Sequence, residues 1–284
     1  MNFNNKGFME SGRNGQERVF KAVQVGAVIL IIVAALFIFI KLKPVKETRP
    51  HEKRKVVARI AIVIDDWGYN KTHCRQLARM PGPVGVAILP HLPFSKDVIA
   101  CAAKAGHEPI LHLPLEPHRR REMFHDGYVL KTEMGEKSLR RTLAKVFQEM
   151  NGVVGVNNHQ GSKGSESETL MTVVLQEARK RRLFFLDSKT TLKTKGPLVA
   201  EKLKMRIAVR DVFLDNRNER RSIEREFARG VDLARRNGYA LMIGHDRVLT
   251  LRIIAEQMKM LSAQGFEFIS VAEYIRLNGV PKAD

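Results

Sequence analysis

Short hydrophobic runs alternate with longer segments of mixed polarity over most of the chain. Eight runs are rich in Ile, Val, Leu and Phe and have the length of strands: 59–66, 84–90, 109–115, 153–159, 183–188, 207–215, 239–245 and 266–271. Several of them are almost continuously hydrophobic, which is typical of strands buried on both faces of a parallel sheet.

Helical spacing of hydrophobic residues separates these runs. The predicted helices cover residues 71–80, 95–104, 137–150, 166–181, 220–237 and 250–264. Four of them are followed by a glycine (Gly106, Gly152, Gly238, Gly265), which favours the end of a helix. Seven or eight strand–helix repeats predict an α/β fold with a (β/α) barrel-like parallel sheet. A doubly wound open sheet is the alternative, but no GxGxxG or phosphate-loop motif follows the first strand.

The longest hydrophobic run, Ala22–Ile40, precedes all the strands and contains no charge. A helix over this run rises about 28 Å, close to the hydrocarbon thickness of a bilayer. Lys41 follows it instead of the small residues of a signal-peptide cleavage site, so we expect a retained membrane helix. The predicted organisation is a tail (1–21), a transmembrane helix (22–40), a charged linker (41–58) and one α/β domain (59–284).

The chain is strongly basic, with a formal net charge of +19. This charge indicates an anionic neighbour such as lipid headgroups or an acidic cell-wall polymer. We do not expect nucleic acid, because no pattern of stacking aromatic residues accompanies the arginines. Seven basic residues within 41–55, against four before the hydrophobic run, favour a cytoplasmic domain by the positive-inside rule. No pattern in the sequence specifies an oligomeric state, and the spacing of Cys74 and Cys101 fits neither a metal nor a redox motif.

Polar residues of types that catalyse reactions or bind metals follow the hydrophobic runs. They are Asp65, Asp66, His112, Glu116, Asn157, Asn158, His159, Asp187, Ser188, Asp215, His245 and Asp246. The carboxyl ends of parallel barrel strands converge on one face, so we expect these residues to form a functional cluster there. A single polar residue at a strand end would instead be explained as a cap of the next helix. Carboxylate and imidazole ligands suit a divalent ion such as Zn²⁺ with an open position for water. The remaining histidines at 73, 91, 118 and 125 are predicted to be structural or on the surface.

The motifs IAIVIDDWGYN, HLPLEP, GVNNHQGS, LFFLDSKTT, VFLDN and ALMIGH lie in this order between Arg59 and Val271. Together they resemble the divergent polysaccharide deacetylase family. In the wider deacetylase superfamily an acid pair supplies a base and a metal ligand, and a Gly-His-Glu motif leads to two ligand histidines four residues apart. The resemblance therefore implies that Asp65 is the base and that Asp66 and His112 are metal ligands.

The chain departs from the superfamily pattern at two positions. Glu116 falls on the second ligand histidine, so either Glu116 or His159 is the third ligand, and we favour His159 because it restores two imidazoles. Trp67 replaces the glycine after the acid pair and is predicted, with Asn158, to contact the substrate.

The resemblance implies a metal-dependent hydrolase that deacetylates an envelope polysaccharide or related glycan. His245 is expected to protonate the leaving group, with its ring oriented by Asp187 or Asp215. The two departures motivate an alternative, an inactive metal-binding module that recognises glycan, and hydrolysis of another ester or amide is a third possibility. A glycan substrate requires the domain to lie outside the bacterial inner membrane, in the periplasm, against the charge bias.

Overall fold

The structure is a computed structural model that describes residues 8–41, 56–119 and 128–281. The chain divides between Arg54 and Lys55 into two units. The first contains one helix, α1 (Phe8–Lys41), which includes an apolar stretch, Phe20–Phe37, long enough to cross a membrane. A signal sequence near an N-terminus has the same length and composition, so this stretch is a candidate span. Most of the predicted linker lies outside the described residues.

The second unit is built on a sheet in which all paired strands are parallel. The strands are β1 (Ala58–Trp67), β2 (Gly85–Ile88), β3 (Glu108–Leu115), β4 (Gly155–Gln160), β5 (Phe184–Asp187), β6 (Ala208–Val209), β7 (Val212–Phe213), β8 (Tyr239–His245) and β9 (Phe266–Phe268). Their order is β6-β5-β4-β3-β2-β1-β8-β7, and β9 pairs with the start of β1. The predicted (β/α) barrel-like fold is confirmed.

One chain segment connects the two ends of this strand order. The sequence predicted a single strand over 207–215, but the segment is divided into β6, which pairs with β5, and β7, which pairs with β8. Between them the amide of Arg210 donates to the carbonyl of Asp187 at 3.0 Å, and the amide of Asp211 donates to that of Leu241 at 2.9 Å. The bend at these two residues therefore bridges the edges of the curved sheet.

Helices follow most of the strands. They are α2 (Cys74–Leu77), α3 (Ser95–Lys104), α4 (Glu136–Glu149), α5 (Glu168–Lys180), α6 (Gly196–Lys202), α7 (Arg220–Asn237), α8 (Val248–Ala263) and α9 (Val271–Asn278). The predicted helix over 71–80 shortens to α2, and α6 and α9 were not predicted. The last predicted strand ends early because the Ser270 hydroxyl accepts a hydrogen bond from the amide of Glu273 and caps α9.

The alternating side chains of the strands form two hydrophobic layers. In β1, Ile60, Ile62 and Ile64 belong to the large core cluster, whereas Ala61 and Val63 belong to a smaller cluster. The smaller cluster also contains inward residues of β8 and residues of α9, so it fills the barrel interior. Burial on both faces explains why these strands are almost continuously hydrophobic.

The two cysteines are joined in a disulfide. Cys74 in α2 and Cys101 in α3 have their Cα atoms 6.1 Å apart. The sequence spacing gave no indication of this pair, because the contact depends on how the first two helices of the barrel pack.

Candidate metal centre

The inward face of each long strand changes from apolar to polar at its carboxyl end. In β1 the inward residues Ala61 and Val63 are followed, two positions later, by Asp65. In β8 the inward Ile243 is followed in the same way by His245, and the two strands pair so that Asp65 and His245 are neighbours. The alternation of side chains along each strand therefore places a polar site next to the apolar interior of the barrel, at the carboxyl end of the strands.

A local irregularity brings Asp66 to the same site as Asp65. Strict alternation would direct these adjacent side chains to opposite faces. However, the register of β1 against β2 shifts between Ile64 and Trp67, and Asp66 has a left-handed φ of 67°. Such a backbone is uncommon for a residue with a side chain and is found at sites where function requires it. The irregularity lets both carboxylates face the carboxyl end of the barrel.

Asp66, His112 and His159 form the one group of potential metal ligands found in the described part of the chain. Oδ1 of Asp66 lies 3.1 Å from Nδ1 of His159 and 3.3 Å from Nε2 of His112, and the two nitrogens are 3.0 Å apart. Two ligand atoms bound to Zn²⁺ at about 2.05 Å and a tetrahedral angle lie about 3.3 Å apart. The triangle of donor atoms therefore fits one face of a tetrahedral site.

The environment of Asp66 supports a cation at this position. Its Oδ1 atom is buried and accepts no hydrogen bond from any described residue. A buried carboxylate oxygen without a partner is costly unless a cation neutralises it. Burial acts to raise the pKa of Asp66, but the imidazoles of His112 and His159 outweigh it and hold the pKa far below its usual range. Asp66 is therefore ionised, as a metal ligand must be.

Asn157, which was expected in the cluster without an individual role, holds two members of the site in place. Its amide group donates from Nδ2 to Oδ1 of Asp65 at 2.9 Å, and its Oδ1 lies 2.8 Å from Nδ1 of His112. All three side chains are almost completely buried. Asn157 lies on β4 two positions before His159, so the alternation of that strand marks it as an inward neighbour.

Asp65 lies beside the three ligand candidates. Its Oδ2 is 3.7 Å from Nε2 of His112. Burial raises the pKa of Asp65, although the imidazoles of His112 and His245 act in the opposite direction. A carboxylate with a raised pKa is better suited to accept a proton near neutral pH than an exposed one.

His245 is oriented by Asp215. Nδ1 of His245 lies 2.7 Å from Oδ1 of Asp215, and the backbone amide of His245 donates to Oδ2 at 3.0 Å. Thr250 also donates to Oδ2, at 2.7 Å, so the carboxylate is fixed on both sides. Burial lowers the pKa of His245, but Asp215 outweighs it and raises the pKa above its ordinary value. Nε2 of His245 faces the site, 3.8 Å from Oδ2 of Asp66.

Asp187 and Asn158 have other contacts. Asp187 accepts hydrogen bonds from the amide of Lys189 at 2.8 Å and from Thr194 at 2.6 Å, so it organises the loop after β5. Asn158 accepts from the amide of Ser188 at 2.8 Å and donates to a carbonyl of its own strand end. Of the two candidates for orienting His245, the structure places Asp215 there and not Asp187.

Glu116 and Trp67 lie apart from the group of potential ligands. Glu116 accepts hydrogen bonds from the amide and hydroxyl of Thr132 at 2.8 and 2.7 Å and from Lys163 at 2.7 Å. It lies outside the group of potential ligands. Trp67 is completely buried in the large hydrophobic cluster, so it has no surface to offer a substrate.

Three of the histidines that were predicted to be structural or on the surface have carboxylate neighbours. Their ring nitrogens lie 2.6 Å from Asp246 (His73), 3.7 Å from Glu149 (His91) and 3.0 Å from Glu166 (His118). His125 lies outside the described residues.

Comparison of the fold with solved structures gives two informative neighbours. An uncharacterized protein of Agrobacterium tumefaciens C58 has a TM-score of 0.71 with 23% sequence identity, over 76% of this chain and 88% of that chain. A family 4 carbohydrate esterase of Streptomyces lividans, in complex with acetate, has a TM-score of 0.50 with 13% identity, over 81% of this chain and all of that chain. At these identities the similarity establishes the fold.

Comparison of the sequence establishes the family. YibQ of Escherichia coli K12, described as uncharacterized, is 33% identical over 203 residues, which are 72% of this chain and 63% of YibQ. The match therefore spans less than two thirds of YibQ. An uncharacterized Haemophilus influenzae protein is 30% identical over 204 residues, or 72% of each chain. The profile of the divergent polysaccharide deacetylases matches residues 62–275, which contain the whole candidate site. The chain belongs to the divergent polysaccharide deacetylase family.

Proposed function

We propose that this protein is a metal-dependent hydrolase that removes acetyl groups from an envelope polysaccharide or related glycan. The observation that carries the proposal is the buried Oδ1 of Asp66, which lacks a hydrogen bond and lies within 3.3 Å of the imidazole nitrogens of His112 and His159. These three residues would hold a divalent ion, for which Zn²⁺ is the best match to the mixed nitrogen and oxygen donors. Family membership supports the class of substrate.

The ion, when bound, supplies Lewis-acid chemistry: it polarises a carbonyl and lowers the pKa of water. Asp65 lies within reach of the same point and accepts the proton of the attacking water as general base. The hydrogen bond from Asn157 fixes one oxygen of Asp65, which leaves the other directed towards the ligands. The resulting position of the base depends on packing inside the barrel and not on a mobile surface loop.

His245 supplies the second proton transfer. Asp215 raises the pKa of His245 and so favours the protonated ring, from which Nε2 donates to the leaving nitrogen or oxygen of the glycan. Because both Asp65 and His245 flank Asp66, one acid and one base approach the same reacting group.

The test is acetate release from N-acetylated and O-acetylated glycans by the wild-type protein and by Asp65→Asn, with metal content measured for both. Asp65→Asn keeps the size of the side chain but removes the base, so we expect metal to be retained and turnover to fall about a hundredfold or more. Metal binding without turnover on any acetylated glycan would favour the alternative, a metal-binding module that recognises glycan. Turnover only on unrelated esters or amides would contradict the assignment of substrate.

We further propose that α1 anchors the protein in the bacterial inner membrane with the catalytic domain in the periplasm. The apolar stretch Phe20–Phe37 supports the anchor, and the disulfide between Cys74 and Cys101 supports an oxidising compartment. These observations outweigh the excess of basic residues after the hydrophobic run, because the positive-inside rule is a tendency. A C-terminal reporter that is active only outside the cytoplasm is expected to give a signal; silence in a stable fusion would contradict this orientation.

A further inference from the structure

Exposed cations collect at the end of the barrel opposite the metal centre. Because all the strands are parallel, the turns that lead into them lie together at this end. The exposed residues Lys104, Lys180, Arg182, Lys204 and Arg236 lie at the ends of helices or in these turns, and we name them the basic face. None of the five forms an ion pair with a described residue, although other cations of the domain do, such as Arg59 with Glu267. The charge of this face is therefore free to interact with a partner.

Two of these cations occupy positions that are normally occupied by glycine at the end of a helix. After α3, α7 and α8 the left-handed residue is Gly106, Gly238 and Gly265, with φ of 78°, 83° and 91°. After α5 and α6 the corresponding residues are Arg182 and Lys204, with φ of 60° and 50°. A side chain disfavours this conformation, so glycine would be the better residue for folding alone.

Stabilisation of the helix dipole does not explain these two residues. Cations favour a helix when they lie in its last turn, and α5 already has Arg179 and Lys180 there, while α6 has Lys202. Arg182 and Lys204 lie beyond those turns and make no ion pair with a described residue. The charges of Arg182 and Lys204 are more simply explained by an interaction with a partner outside the domain.

The cations after α5 and α6 belong to one continuous surface. Arg179 donates to the carbonyl of Leu203 at 2.7 Å, which joins the ends of the two helices. Arg206 donates to the carbonyl of Arg276 at 2.8 Å and so joins the following turn to α9. Among the acids near these turns, Glu273 is paired with Arg276 at 3.1 Å, Glu267 with Arg59 at 2.8 Å and Asp232 with Arg235 at 3.6 Å. Glu201 is exposed. The balance of charge remains positive.

The chain enters the domain at this end. The amide of Val57 donates to the carbonyl of Gly265 at 2.9 Å, and β1 begins at the next residue. Upstream in the sequence, α1 carries the apolar stretch that is long enough to cross a bilayer. We propose that the basic face binds the anionic headgroups of the membrane in which α1 is inserted. This proposal rests on the proposed anchor and is independent of catalysis at the metal centre.

The test uses the full chain reconstituted into vesicles of phosphatidylcholine, with or without an equal part of phosphatidylglycerol. A membrane-impermeant, amine-reactive reagent labels exposed lysines, and mass spectrometry gives the rate at each site. We expect Lys180 and Lys204 to react several-fold more slowly in the anionic vesicles, whereas Lys189 and Lys193, beyond the carboxyl end of β5, react equally in both. High salt should abolish the difference, because it screens exposed charges. Equal rates at Lys180 and Lys204 in the two kinds of vesicle would overturn the proposal.

A double variant distinguishes the effect of losing charge from the effect of losing stability. Replacing both residues (Arg182→Gly with Lys204→Gly) removes two charges and supplies the residue that the backbone prefers, so the thermal midpoint should not fall. The protection of Lys180 by anionic vesicles should be lost. The matched control, Lys137→Gln with Arg141→Gln, removes two exposed charges from α4 and should keep that protection. Full protection of Lys180 in the glycine variant, or loss in the control, would contradict the proposal.

Discussion

The amide oxygen of Asn157 lies 2.8 Å from Nδ1 of His112. The amide is held in this orientation because its nitrogen donates to the carboxylate of Asp65. An amide oxygen only accepts hydrogen bonds, so Nδ1 of His112 carries a proton, and Nε2, which lies beside the oxygen of Asp66, is the ring nitrogen left to bind a metal. Asn157 thereby selects the tautomer of His112 that is able to bind a metal.

Asn157→Leu keeps a similar volume but removes both hydrogen bonds. We expect metal affinity to fall about 10- to 100-fold, as is typical when a partner that orients a ligand is lost. Competition with a chromophoric chelator measures this, and thermal unfolding shows whether the domain remains folded. An unchanged affinity in a folded variant would mean that Asn157 does not position His112.

The two candidates for the third ligand give opposite predictions. His159→Ala should lose most of its metal affinity, because one of three ligands is removed. Glu116→Gln should keep the metal but lower stability by about 1.5 kcal/mol, since it weakens charged hydrogen bonds to Thr132 and Lys163. The reverse ranking in metal titrations would place Glu116 at the metal.

The Glu116 variant should also change how stability depends on pH. Burial opposes the effect, but Lys163 and Thr132 lower the pKa of Glu116 from an ordinary value of 4.5 to about 2. Its contribution is therefore complete above pH 4.5 and is lost as the pH falls towards 2. Over this interval the wild type should lose more stability than Glu116→Gln, as measured by chemical unfolding at each pH; parallel profiles would contradict this account.

Asp215→Asn tests the assignment of His245 as the general acid. The protonated form of His245 exists below its pKa, which Asp215 raises. Removing the carboxylate lowers that pKa, so the alkaline limb of the pH–rate profile should move to lower pH and turnover should fall. A lower rate with an unmoved alkaline limb would show that another group donates the proton.

The order of strands and helices along the sequence predicted the barrel and the convergence of the strand ends on one face, and the resemblance to the deacetylases pointed to Asp66, His112 and His159 as ligands. The sequence left Asp187 and Asp215 as alternatives for orienting His245, since the choice depends on β7 lying beside β8 and on the division of the strand over 207–215. The burial of Trp67 follows from the register shift at Asp66, which a hydrophobicity pattern does not reveal. Likewise, the contacts of Glu116 with Thr132 and Lys163 join separate loops, so no local pattern in the sequence predicts them.

The most direct test of the account is the metal content of the purified wild-type protein beside that of Asp66→Ala, with Asp246→Asn as a control carboxylate outside the ligand group. We predict about one equivalent of a divalent ion, removable by chelator, in the wild type and in Asp246→Asn, and almost none in Asp66→Ala. A wild-type protein that is empty and insensitive to chelator, or an Asp66→Ala variant that retains its metal, would contradict the metal centre and with it the proposed chemistry.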